Sequence, residues 1–131
     1  MENLITLTVP ADRHCALVLR SALCGVSILC NLDIDAMEDL RSALEEGFYS
    51  LLSQKAAARE ITLRTFTENG TLTAELTADA DELAPGEPQQ NEITKAVLAT
   101  LITDVSLTET AGGCVRSITL RVPAGKWVTC P

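Results

Sequence analysis

The apolar positions of this chain change period several times, and each change marks an element. Leu4 to Val9 (LITLTV) alternates apolar residues with threonine, the pattern of a half-buried strand, and Pro10 ends it. Cys15 to Cys30 (CALVLRSALCGVSILC) is apolar almost throughout, with Arg20 its single charge. That run predicts a helix capped by Asp12 and buried on most of its circumference, the sheet on one side and a neighbour on the other. It is short of the ~20 residues that span a bilayer, and an arginine near its middle would be costly there. Asn31, Asp33 and Asp35 make a polar break with capping carboxylates. Met37, Leu40, Ala43, Leu44, Phe48, Leu51 and Leu52 then recur at three- and four-residue steps, one apolar stripe of a second helix. Its other face carries Glu38, Asp39, Arg41, Glu45, Glu46, Tyr49 and Ser50.

After Ala58 the period becomes two. Ile61, Leu63, Thr65 and Thr67 lead to Asn69-Gly70, and Leu72, Ala74 and Leu76 follow, which predicts a hairpin. From Thr77 to Asn91 periodicity is lost and Asp79, Asp81, Glu82, Pro85, Gly86 and Pro88 gather, so a long, mobile, acidic loop is expected. A helix from about Glu92 to Asp104 would place Ile93, Ala96, Val97, Thr100 and Leu101 on one face. Two strands close the pattern, Val105 to Thr110 and Val115 to Val122, turning at Gly112-Gly113. The tail around Trp127 has no clear period. With no repeat in view, residues 1–131 read as one domain of order β-α-α-β-β-α-β-β. Hairpins rather than helical crossovers join most strands, so the expected fold is a two-layer α/β (α+β) sandwich, a mainly antiparallel sheet with helices on one face.

Composition narrows the function. At 47% hydrophobic and 21% charged over 131 residues the chain can bury a core, and with 3% aromatics that core is aliphatic. Eighteen acids against ten bases leave a net charge of −8, which repels phosphate backbones and anionic lipid and favours a basic protein surface as partner. Cys15, Cys24, Cys30, Cys114 and Cys130 form no C-x-x-C pair and His14 is the sole histidine, so the ligand spacing of a metal site is missing. The cysteines read as small hydrophobes of a reducing compartment, and no targeting segment is visible at the N-terminus. A cytoplasmic location is expected.

The element order, the opening strand ending in Pro10-Ala11, the helix phrase DLRSALEEGFYSLL and the closing AVLATLITDV…GG…ITLRV resemble the small bacterial anti-sigma regulatory factors. These are serine kinases of the histidine-kinase-like ATPase superfamily, and the likeness runs from about Leu4 to Val122. In that family the second helix carries a Glu that orients or deprotonates the attacking group and, four residues on, an Asn that holds magnesium. Glu46 matches the Glu, while Ser50 stands where the Asn belongs. Read from its neighbours alone, Glu46 is one of several solvated acids. The family's Asp-x-Gly-x-Gly, whose Asp reads adenine, falls on TADADELAPG, so Asp79 would be the aspartate, with Asp81 and Leu83 at the glycine positions. A further Gly-x-Gly, at the start of the next helix, cradles phosphate and falls on Glu92-Ile93-Thr94, where side chains and a carboxylate replace open amides. The resemblance therefore implies an ATP and magnesium site whose glycines are gone.

Arg20 falls where family members present an arginine to a sigma factor or an anti-sigma antagonist. Arginine is enriched at binding hot spots, and equally it snorkels from buried helices to water. Family members form homodimers, which an all-round apolar helix suits. The expectation is a partner-switching regulator that binds protein through a scaffold with a degenerate nucleotide site and no cofactor. The alternatives are an active ATP-dependent serine kinase, with Glu46 as base and Ser50 and Asp79 around magnesium, and a dimeric accessory module.

Overall fold

Alternating Thr and aliphatic residues produce five strands, which the computed structural model describes within residues 2–56 and 58–124. The tail with Trp127 and Cys130 lies outside the described residues. Strand β1 (Glu2–Pro10) pairs with β2 (Glu60–Glu68), β2 with β3 (Thr71–Ala78), β3 with β5 (Val115–Pro123), and β5 with β4 (Asp104–Glu109). The sheet order is β1-β2-β3-β5-β4, and every pairing is antiparallel. At the expected hairpin Asn69 and Gly70 both have positive φ, 51° and 76°, the backbone that a two-residue turn matching strand twist requires.

Register sorts the two faces. Leu63 pairs with Leu76, Leu76 with Ile118, and Val105 with Leu120, all on the helix-covered face. Thr62 with Thr77, Arg64 with Glu75 and Thr73 with Arg121 lie on the other. Thr65 is a polar residue on the core face, fully buried, and its hydroxyl accepts a hydrogen bond from the Ile5 amide (3.2 Å) beside the register shift in β1.

Asp12 accepts from the His14 amide and opens a 3-10 turn, Arg13–Cys15; contrary to expectation it caps this turn and not helix α1 (Ala16–Leu29), which follows Cys15 with no side-chain cap. Asp33 accepts from the Ala36 amide at 2.7 Å and caps α2 (Ile34–Leu52). On α2 the expected stripe is the buried one: Leu40, Ala43, Leu44, Phe48 and Leu51 are at most 1% exposed. α1 differs from expectation. Ala16, Leu19, Leu23, Val26 and Ser27 are buried, but Leu17 is 57% and Ile28 58% exposed, with Val18, Cys24 and Leu29 also in the open. A continuous apolar run cannot show which side of a helix receives a neighbour, and in this chain α1 packs mainly against α2.

The last helix also departs from its expected bounds. α3 spans Pro88–Ala99, so it starts and stops earlier than the Glu92 to Asp104 of the periodicity. Pro88 has the fixed φ of a first helical residue and needs no N–H partner there. The buried face of α3 is Asn91, Thr94 and Leu98, whereas Ile93 and Val97 are 56% and 41% exposed. Two polar residues on the buried side hid the helix start from a reading based on apolar spacing. The connecting segment is correspondingly shorter, residues 79–87.

Candidate functional site

Glu46 and Ser50 are four residues apart on α2, so they share one face, and Gln54 just past the helix end continues the same line. This face meets α3 across a cavity of about 400 Å³. Glu46, Tyr49, Ser50 and Gln54 line one wall, Ile93, Thr94, Val97 and Leu98 the other, and Pro85, Gly86 and Glu87 the end beside the start of α3. The Ser50 hydroxyl donates to Thr94 Oγ1 at 3.3 Å and ties the two helices together. Gln54 is committed as well: its Oε1 accepts from the Val115 amide at 2.7 Å, and its Nε2 donates to the Val115 carbonyl at 3.0 Å. The side-chain amide thereby takes the place of a neighbouring strand at the start of β5. Asn91 Nδ2 donates to the Gly113 carbonyl (2.9 Å) and to Glu109 Oε1 (3.2 Å).

Glu46 is different. It is exposed and, among the described residues, its carboxylate has no hydrogen bond or ion pair. At the cavity rim Lys55 Nζ lies 3.8 Å from Glu87 Oε1. Glu87 precedes Pro88, so the chain's own carboxylate stands at the positive end of α3. Arg13 lies over the Tyr49 ring, 5.2 Å from its centroid, but does not line the cavity.

The segment expected to be mobile is fastened to the β4–β5 turn. Gly86 N donates to Gly112 O (3.2 Å), Gly112 N to Glu82 O (3.1 Å), and Thr110 Oγ1 to Ala84 O (3.1 Å). Glu82 also pairs with Arg116 and accepts from the Ala111 amide at 3.1 Å, and these two contacts, Arg116 first, hold its carboxyl below the usual range. A Cβ on Gly86 would stand 1.7 Å from the Gly113 carbonyl oxygen. The open side of this glycine is therefore filled by backbone.

The positions matched to glycine motifs scatter. Asp81 and Leu83 lie in the fastened segment, with the Leu83 amide donating to Asp81 Oδ1 at 3.0 Å. Glu92-Ile93-Thr94 lies inside α3 rather than at its start, a correction that follows from the earlier N-terminus. Asp79 does not line the cavity that holds Glu46 and Ser50. It lines a second depression with Thr8, Pro10, Arg59 and Glu60. Its Oδ1 accepts from the Arg59 amide (2.7 Å) and the Glu60 amide (3.1 Å), securing the entry to β2. These bonds, led by that from Glu60, hold its pKa down. A depressed carboxylate stabilises the fold above its unfolded pKa of about 3.9 and loses that contribution as pH falls through the lower folded value. Asp79→Asn is thus expected to lower stability slightly at neutral pH, with the difference from the parent shrinking in acid, measured by urea unfolding across pH. An undiminished difference at low pH would contradict it.

Arg20 lies on α1 and does not line the cavity. Its Nη1 donates to Glu45 Oε1 at 3.1 Å, and Arg41, itself paired with Glu38 at 2.7 Å, donates to the same oxygen at 3.1 Å. The Arg20 side chain remains 41% exposed. Gln54, Asn91 and Gly86 escaped the sequence reading. Only Gln54 left a signal, its place four residues beyond Ser50.

No protein-family model and no curated sequence matches the chain. In structure it is similar to the crystal structure of the RsbU and RsbW domains of Rv1364c from Mycobacterium tuberculosis, with a TM-score of 0.69 at 14% sequence identity. The match covers 96% of this chain and 35% of that one, so the chain spans about a third of its structural neighbour. Among the described residues no helix is long and apolar enough to cross a membrane. Five antiparallel strands under three helices, in this order, make a two-layer α/β sandwich, the fold this chain shares with that structure.

Proposed function

We propose that this domain is a partner-switching regulator of the anti-sigma-factor type, acting by protein binding from a scaffold whose nucleotide site is degenerate. The observation that carries this reading is the uncovered face of α1. Leu17, Val18, Cys24, Ile28 and Leu29 are exposed along it without a charge, and Arg20 stands at its border, braced through Glu45 by Arg41. A contiguous apolar patch beside a pre-ordered guanidinium is the composition of a binding hot spot. The face is also self-complementary. About Leu23, Leu17 is matched by Leu29, Val18 by Ile28, and small Ser21 by Gly25. Two antiparallel copies of α1 can therefore pack on a two-fold axis, as an isologous homodimer requires.

The cavity supports the non-catalytic side of the reading. ATP with magnesium needs open amides for phosphate and oxygen ligands for the metal. The Gly86 approach is filled by Gly113, Pro88 has no amide hydrogen, Lys55 is paired with Glu87, and Ser50 is bonded to Thr94. These residues do not fit a triphosphate. The kinase alternative retains one observation, that Glu46 and Ser50 face the same cavity, while Asp79 stands apart from both.

Affinity capture from the native host, with mass spectrometry, tests the proposal. The parent chain should retain a sigma factor or an antagonist-type regulator, and Arg20→Glu should reduce that capture by about tenfold or more, about 1.4 kcal/mol, while the variant stays folded with a modest loss of thermal stability from the new repulsion of Glu45. Capture of such a regulator unaffected by Arg20→Glu would move the interface off α1. Absence of any regulator would defeat the functional reading.

A further inference from the structure

We infer that the cavity between α2 and α3 is a binding site for an organic cation carried on an apolar body, a guanidinium or primary amine with hydrocarbon attached. The inference stands on the cavity itself and is independent of the α1 surface. Three features lead to it.

First, the space is formed. Its volume is about 400 Å³, within the usual range for small-ligand sites; its walls are joined by Ser50 with Thr94, and each is fixed to the β4–β5 side, by Gln54 with Val115 and by Asn91 with Gly113. A ligand need not order these groups. Second, apolar surface is left open there. Ile93 and Val97 are 56% and 41% exposed, and together with Tyr49 and Pro85 they form hydrocarbon wall. Buried water-free contact on such a wall favours an apolar body.

Third, the polar groups are sorted by charge. Ser50, Gln54, Thr94 and Asn91 already serve one another or the backbone. Lys55 and Glu87 face each other at the rim. Glu46 alone among the lining charges has no partner among the described residues, so the lining carries one uncompensated negative charge. The N-terminus of α3 would favour an anion, but Glu87 sits at that end. A free carboxylate beside hydrocarbon selects a cation with a hydrophobic stem, by the same logic that pairs arginine with carboxylates at interfaces. The chemistry is shared by a basic residue next to an apolar one in a protein segment and by a free amphipathic amine.

The test is an amide-resolved NMR titration of the full chain with three probes at about 0.15 M ionic strength, so that surface charge is screened. The probes are N-acetyl-Leu-Arg-amide, phenethylamine and magnesium ATP. One or both cations should shift the amides of Ser50, Ile93 and Thr94 at saturable concentrations. In Glu46→Gln the affinity should fall about two- to fivefold, the loss of one exposed charge pair, while the unliganded spectrum stays parental away from position 46. A response to the dipeptide alone points to a protein segment, and to phenethylamine alone points to a free amine. Failure of both cations to shift these amides overturns the site. So does cation binding that Glu46→Gln leaves unchanged, or magnesium ATP moving the same amides more strongly than either cation.

Discussion

Gly86→Ala lowers the unfolding free energy by about 3 kcal/mol and the melting temperature by roughly 10 °C, because its methyl would make the tightest approach among the described glycines. The added Cβ would lie 1.7 Å from Gly113 O, 2.1 Å from its carbonyl carbon and 2.6 Å from Cys114 N. All three are backbone, so no side chain can swing aside and the two loops must separate. Separation strains the Gly86 to Gly112 bond and displaces the Gly113 carbonyl from Asn91, which loosens the α3 side of the cavity. Gly25→Ala is the control of opposite sign. Nothing lies within 4 Å of its Cβ position, and in mid-helix the change should stabilise by about 0.5–1 kcal/mol. Thermal unfolding of both variants decides the matter. A parental melting temperature for Gly86→Ala would mean that the loop does not rest on the β4–β5 turn.

Gln54→Glu tests the other clamp with almost no change of shape. At neutral pH the new carboxylate still accepts from the Val115 amide but sets an oxygen against the Val115 carbonyl, where Gln54 Nε2 donates. Val115 is only 2% exposed, so losing that donor and opposing two acceptors there should cost about 2–3 kcal/mol. The protonated acid restores a donor, so the folded state raises the pKa of the introduced carboxyl above its unfolded value of about 4.3. A raised group is fully accommodated below the unfolded pKa, and that accommodation is lost as pH rises through the folded one. The destabilisation relative to the parent should therefore be small near pH ~4 and full at neutrality, read from paired urea curves. A pH-independent difference would show that the amide does not bridge Val115 in this way.

Asn69-Gly70 was legible in the sequence because the turn needs two positive φ values and these residues supply them locally. The α2 stripe was legible because a helical period names its own buried face. α3 was misplaced because its buried side holds Asn91 and Thr94, while its apolar Ile93 and Val97 look into a cavity. α1 reads as surrounded because apolar residues occupy its whole circumference, and nothing in the run says that one half is left exposed among the described residues. The matched motif positions diverged for the same reason: Glu46 and Ser50 share a face by spacing, but Asp79 binds amides of residues that lie 19 and 20 positions before it.

By itself the sequence determined the strand faces, the hairpin turn, the cap at Asp33, the second helix and the sandwich they build, since periods and capping groups act within a few residues. Only the tertiary structure decided that Gly86 meets Gly113, that Gln54 completes the edge at Val115, that Glu46 is left without a partner among the described residues in a formed cavity, and that one face of α1 stays uncovered. Each of these is set by segments that meet across the fold, and no local pattern encodes which distant backbone will arrive.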